Sequence, residues 1–323
     1  MTAYLGANPA AGELAGGEVL EHTFKAMGTD VHVIVVGGTP AHIALVETIV
    51  ADREARWTRF DPDSELMRLN RHTGVPVMVS QDTFQLIEAA VEASHLTGGA
   101  FDPTVLGSLV AAGYSTTFGD IDGDRQVENV APHGVDGIRL DPVTNMVVLP
   151  PETGIDLGGI AKGATAEFAA SEVLKWGAEG CCVNIGGDLQ VQGRGPGPEG
   201  WVIEIDCAGS DASRWVGLAH GAVCTSTVSK RRWDTESGPQ HHIRDTVSGG
   251  PLESGVASIT VIGRSAIQAE VLTKAAMAAG VEGAEPLVTG HGATGMAVTS
   301  TGRIIEFDGF NHFELHLWNN TVR

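Results

Sequence analysis

Residues 156–163 read DLGGIAKG, with two adjacent glycines between an aspartate and a lysine and a third glycine closing the run. The apolar spacing that follows marks the segment as the start of a helix. Glycines let a ligand approach the backbone closely, and the first amides of a helix offer donors and a positive dipole end to an anion. A phosphate or pyrophosphate is the natural occupant. The run is not a Walker A loop, because no Gly-Lys-Ser/Thr closes it, and it is not GxGxxG. The residues alone leave a second reading open, a tight strand-to-helix turn with a solvated lysine.

Other short clusters are too polar or too rich in glycine to be core. They are residues 27–29 (MGT), 60–70 (FDPDSELMRLN), 97–105 (TGGAFDPTV), 183–188 (VNIGGD), 225–227 (TST) and 241–249 (HHIRDTVSG), with 269–280 (AEVLTKAAMAAG) opening a helix. The adjacent histidines do not make a zinc site, since no third ligand stands at zinc spacing.

In this order and with these spacings the clusters closely resemble the FAD:protein FMN transferase (ApbE) family, over roughly residues 24–300, with DLGGIAKG, TGGAFDP and NIGGD as the most specific stretches. The resemblance implies an enzyme that binds FAD, needs Mg²⁺, and transfers the FMN half onto a threonine of an acceptor flavoprotein, releasing AMP. Two alternatives use the same pocket: an FAD pyrophosphatase with water as nucleophile, and a non-catalytic FAD carrier. The family's flavin contacts fall on Met27, Phe60, Ala100, Phe101, Asp102, Gly158 and Ala164, with Ile243 beside the nucleotide; Gly159 and Lys162 of the glycine run are expected to bind the cofactor with them. Residue chemistry agrees: Phe60 and Phe101 supply flat apolar faces, and Asp102 can accept from a ring N–H or a ribose hydroxyl.

His242 falls on the family's histidine, which implies a general base for the attacking hydroxyl, with Asp245 downstream as a carboxylate partner. The family's Mg²⁺ site maps to the carbonyl of Ala161 and to Glu270 and Lys274, where an aspartate and a threonine are usual. Glu270 keeps a hard oxygen. Lys274 cannot be a ligand, because an ammonium repels a cation; it is expected to point at the site, and Thr273 is the alternative hydroxyl. The competing reading of Glu270 and Lys274 is an ordinary i,i+4 surface pair.

Around these clusters the hydrophobic pattern predicts a strand over Thr29–Val36 and helices over residues 41–57 and Gln81–Leu96, the latter capped by Gly98-Gly99. Next come a hairpin near 137–149, a helix over about 160–177, and strands at 181–191, 201–207 and 215–225. The last third reads as a strand at 257–263, a helix at 265–279 and a strand pair joined at Thr301-Gly302. Hairpins outnumber βαβ units, so the fold class is α+β, with antiparallel or mixed sheets and packed helices. Residues 1–19 are expected to form a flexible tail and 20–323 a single flavin-transferase domain.

The chain carries 40 acidic against 20 basic residues, a net charge of −20. That field disfavours nucleic acid and anionic membranes as partners. With no long apolar run and no signal-like start, a soluble, cytoplasmic protein without membrane insertion is expected. The four cysteines make neither a disulfide framework nor a CxxC site and read as small buried strand residues.

Overall fold

The computed structural model describes residues 19–116, 126–207 and 213–315. In chain order the first elements are β1 (Val19–Ala26), β2 (Thr29–Val36), α1 (Pro40–Trp57), α2 (Glu65–Arg71), β3 (Val77–Met78), α3 (Gln81–Leu96) and α4 (Leu106–Ala111). There follow β4 (Arg139–Asp141), β5 (Met146–Val148), α5 (Ala161–Lys175), β6 (Gly180–Ile185), β7 (Asp188–Gly193), β8 (Trp201–Asp206), β9 (Ser213–Leu218) and β10 (Gly221–Thr227). The chain then forms β11 (Arg232–Thr235), β12 (Gly238–His241), β13 (Val256–Gly263), α6 (Ala266–Gly290), β14 (Thr294–Thr299) and β15 (Ile304–Glu306). The expected tail lies outside the described residues, except that Val19 opens β1.

Eight strands form one sheet in the order β1-β2-β6-β7-β10-β13-β14-β15, with every neighbouring pair antiparallel. The α+β class is therefore as expected. Alternation along β2 sends Val31, Val33 and Val35 into a layer with Val46 and Val50 of α1 and Ala166, Ala169, Ala170 and Val173 of α5. Ile34 and Val36 face the other way, against Trp201, Ile203 and Ile205 of the β8-β9 hairpin. Farther along the sheet, Cys224, Ile259, Val261 and Ala297 pack on Leu272, Ala276 and Met277 of α6. All four cysteines are free and buried.

Three segments differ from the periodic reading. Residues 181–191 are two strands, because Gly186 and Gly187 hold φ of 65° and 101° and turn the chain back between two buried segments. Asn184 Oδ1 accepts from the Gly187 amide at 2.9 Å and closes that turn. Residues 215–225 are likewise two strands, β9 and β10, which belong to different sheets. The last helix runs on to Gly290 with a kink at Gly280, beyond the end expected at 279.

A helical lobe stands against the edge of this frame. Leu66 and Leu69 of α2, Phe84 and Ile87 of α3, and Val147 of β5 share a core with Ile160, Ala161 and Ala164 at the start of α5 and with Val271 and Ala275 of α6. Residues 60–70, expected to be outside the core, thus contribute two fully buried leucines. Asn70 ties the lobe to the segment before α5: its Nδ2 donates to Ile155 O at 2.9 Å and its Oδ1 accepts from Ile155 N at 2.8 Å.

Helices α5 and α6 cross where Gly163 has no side chain. A Cβ there would lie 2.3 Å from the carbonyl oxygen of Ala266 and 3.1 Å from Glu270 Oε2. Gly163→Ala must force the helices apart, so we expect a loss of about 1–3 kcal/mol, the usual cost of overpacking. Urea denaturation of the two proteins reads it; an unchanged midpoint would mean that the crossing is loose.

Candidate functional site

A cleft of about 570 Å³ opens between the helical lobe and the sheet. That is within the range of roughly 300–1,000 Å³ for small-molecule sites. Of the residues singled out from sequence, it is lined by Met27, Phe60, Ala100, Phe101, Asp102, Gly158, Gly159, Ala161, Lys162, His242, Ile243 and Lys274. Ala164, Asp245, Glu270 and Thr273 stand outside its lining. Ala164 is packed in the core, and its carbonyl accepts from Arg53 Nη1 at 3.2 Å.

The glycine run presents fewer amides than its sequence suggests. The N–H of Gly158 goes to Asp156 Oδ1 (2.9 Å), those of Ile160 and Ala161 go to Leu157 O (3.1 and 2.9 Å), and that of Gly163 goes to Glu270 Oε2 (2.7 Å). An anion here must be met mainly by side-chain cations. Lys162, one of the two readings' solvated lysine, is in fact drawn inward: its Nζ lies 2.8 Å from Asp188 Oδ2, 2.5 Å from Glu270 Oε1 and 3.3 Å from Gly158 O.

Glu270 is fully buried and collects donors from two helices. Lys162 and, at 3.0 Å, Lys274 share its Oε1, while Gly163 takes Oε2. Burial alone would raise this carboxyl, but the Lys162 and Lys274 ammoniums outweigh burial and hold it at about 2. Burial also favours the neutral form of Lys162, yet Asp188 and Glu270 overcome that and keep it charged above its ordinary value. Asp188 goes the other way: burial raises it more than Lys162 lowers it, and its Oδ1 is buried with no partner. A proton entering this cluster therefore settles on Asp188, the carboxylate with fewer donors.

These residues do not fit a magnesium site. Mg²⁺ needs near-octahedral oxygens, whereas Glu270 has both oxygens engaged and Lys274 puts an ammonium where a ligand would stand. Thr273 offers no substitute. It is fully buried and turned toward β10, its Oγ1 donating to Glu270 O at 2.7 Å and bonding Ser226 Oγ at 2.6 Å. Ala161 O accepts from Thr165 Oγ1 at 2.7 Å. Among the described residues no three His, Cys, Asp or Glu side chains converge as a metal group. The surface-pair reading of Glu270 and Lys274 also falls, because Glu270 has no exposure.

The loop carrying His242 is built around Arg244. Its guanidinium donates to Gly249 O (2.7 and 3.1 Å), Gln240 Oε1 (3.0 Å) and His241 O (3.2 Å), and burial lowers it to about 10. Asp245, expected beside His242, instead caps its own loop: Oδ1 accepts from Ser248 N (2.6 Å), Ser248 Oγ (2.8 Å) and Val247 N (3.1 Å). A carboxylate so near its own turn amides satisfies them first. His242 is left with a buried, unpartnered Nδ1. Burial, then the charges of Arg231 and His241, push it well below the ordinary histidine value, so the ring is neutral.

One contributor at the far end of the cleft had no signal in spacing. Arg59 lies with its guanidinium carbon 4.2 Å from the Phe60 ring centre and 4.1 Å from that of Tyr114, and its Nε is 3.1 Å from Asp156 Oδ2. Phe101 is buried and Phe60 more than a third exposed, so the two rings offer unequal faces. Asp102 Oδ1 accepts from Thr104 N and Oγ1 (2.8 and 2.7 Å), which orients the carboxylate at the cleft wall.

The ion cluster makes a direct prediction. Lys162→Met leaves Asp188 and Glu270 buried with one cation removed, and breaking such a pair costs about 3–5 kcal/mol at neutral pH. Asp188, already raised, would then bind a proton that the unfolded chain does not hold until lower pH. The deficit should accordingly shrink as pH falls toward the carboxylate range. Urea midpoints for both proteins at pH 7 and pH 5 check this, and a deficit that grows on acidification would contradict it.

The profile of the ApbE family matches residues 27–298. Curated relatives include the FAD:protein FMN transferase of Haemophilus influenzae, 27% identical over 275 residues that make 79% of each chain. The protein of the same description from Klebsiella pneumoniae is 29% identical and covers 68% of this chain and 70% of its own. Among solved structures, the ApbE protein of Thermotoga maritima superposes with a TM-score of 0.83 at 28% identity, over 92% of this chain and all of that one. The flavinyl transferase ApbE of Pseudomonas stutzeri, at 22% identity and a TM-score of 0.80 over 93% of this chain and 98% of its own, shares the fold. With 272 consecutive positions matched by one family profile and the same architecture in solved members, this chain belongs to the ApbE family.

Proposed function

We propose that this protein transfers the FMN half of FAD to a threonine hydroxyl of an acceptor flavoprotein, with AMP as the leaving group. The observation that carries the reading is a single cleft with aromatic faces at one end, paired lysines and a glycine turn at its floor, and a neutral histidine in its wall. Phe60 and Phe101 hold the ring system, with Met27, Ala100 and Asp102 around it and Ile243 beside the nucleotide. The pyrophosphate lies across Gly158 and Gly159, where a side chain would crowd Asp156 and Phe101.

The hydroxyl oxygen attacks the flavin-side phosphorus, the bond to the bridging oxygen breaks, and AMP departs with that oxygen. His242 takes the hydroxyl proton. Its depressed basicity keeps it unprotonated and ready as an acceptor. The family's divalent ion, where present, supplies a Lewis acid to the phosphates; here the side chains that face them are ammoniums. The acidic body favours an acceptor whose threonine segment is not itself strongly acidic.

Incubation with FAD and a candidate acceptor should release AMP and raise the acceptor's mass by one FMN moiety. AMP that appears equally without acceptor would mean that water is the nucleophile. His242→Ala should lose about 10²- to 10⁴-fold in rate while retaining FAD. Because the folded histidine titrates below its ordinary 6.5, the acid limb of the transfer rate should lie below that pH. A limb centred at 6.5 or above would remove His242 from the role of base.

A further inference from the structure

Lys162 and Lys274 meet the same carboxylate but are not equivalent. An ammonium has three donors. Those of Lys162 go to Gly158 O, Glu270 Oε1 and Asp188 Oδ2, so it is saturated by the protein. Glu270 Oε1 is the single hydrogen-bonding partner of Lys274 among the described residues, which leaves two of its donors unspent. The Lys274 side chain keeps 19% exposure and lines the cleft, whereas the carboxylate behind it has none. The protein thus anchors an ammonium from the rear and presents it forward.

The same geometry shuts out a divalent ion. Mg²⁺ binds carboxylate oxygens at about 2.0–2.1 Å and holds six ligands. On Glu270 Oε1 it would share one oxygen with two ammoniums, 2.5 and 3.0 Å away. With Lys274 gone, Oε1 would keep only the Lys162 ammonium, which Asp188 shares, and its cleft side would be open to a metal.

We infer that Lys274 is the resident cation of this site, donating to the pyrophosphate oxygens of the bound dinucleotide in place of a divalent metal, so that the protein binds and turns over its substrate without Mg²⁺. The inference rests on the FMN-transfer reading for its substrate. Lys274 makes and breaks no covalent bond; it neutralises charge that gathers on the phosphoryl oxygens as the bridging bond breaks. Lys162 positions Glu270, and through it Lys274.

The test is calorimetric titration of wild type, Lys274→Thr, Lys274→Met and Lys274→Arg with Mg²⁺ alone and with FAD in EDTA or millimolar Mg²⁺, followed by AMP release with acceptor under both conditions. Wild type should take up no Mg²⁺ and bind FAD equally in the two buffers. Lys274→Met should bind FAD about ten- to a hundredfold more weakly in both, the loss expected for one charge-assisted contact. Lys274→Thr should lose as much in EDTA and regain it with Mg²⁺, while Lys274→Arg should stay close to wild type. Mg²⁺ uptake by wild type, or FAD binding tightened tenfold or more by Mg²⁺, would overturn the inference without any variant having to fold. Failure of FAD to bind under any condition would instead sink the FMN-transfer reading, and the titration with Mg²⁺ alone would still decide whether the metal is excluded.

Discussion

Everything near the cleft depends on one buried carboxylate. Glu270 joins α6 to α5 through the Gly163 amide, draws Lys162 inward from the glycine run, and holds Lys274 at the cleft surface. A charge without solvent is costly unless it is paired and hydrogen-bonded, and here two cations and an amide do both. The helix crossing has no room for even a methyl group at Gly163, first because the Ala266 carbonyl oxygen would lie 2.3 Å from it and then because the carboxylate would lie 3.1 Å away. Packing and charge therefore constrain the same few atoms.

This arrangement favours function over stability. Apolar residues of similar volume often hold helices together as well as a buried ion cluster does. What apolar residues cannot do is place ammoniums beside a cleft in a chain of net charge −20. The cations at Lys162, Lys274, Arg59 and Arg231 all border the same space. Six basic side chains in the lining, against the acids Glu54, Asp102, Asp156 and Asp188, leave it formally net positive within an acidic body, which suits an anionic dinucleotide.

The sequence was most legible where one period ran uninterrupted. The alternation of Thr29–Val36 and the helical spacing of Gln81–Leu96 fix those elements to the residue. It was least legible where a turn hides between two strand-like segments, as at Gly186-Gly187, since period-2 patterning does not say whether the next residue continues a strand or reverses it. Most of the cleft lining could be named because motif positions converge. The direction of side chains could not: Asp245 is three residues from His242 yet bonds its own turn, and Thr273 is one residue from Lys274 yet is buried against Ser226 of β10. Arg59 escaped notice because its partners, Asp156 and Tyr114, are far along the chain.

The central claim is that the dinucleotide's phosphates meet ammonium and the glycine turn at the start of α5. A crystal structure of the protein with FAD, grown with Mg²⁺ present, tests it most directly. The flavin should lie between Phe60 and Phe101, with the pyrophosphate against Gly158-Gly159 within hydrogen-bonding distance of Lys274 Nζ and no metal between phosphate and Glu270. A hydrated Mg²⁺ bridging Glu270 to the phosphates, with Lys274 swung away, would contradict it.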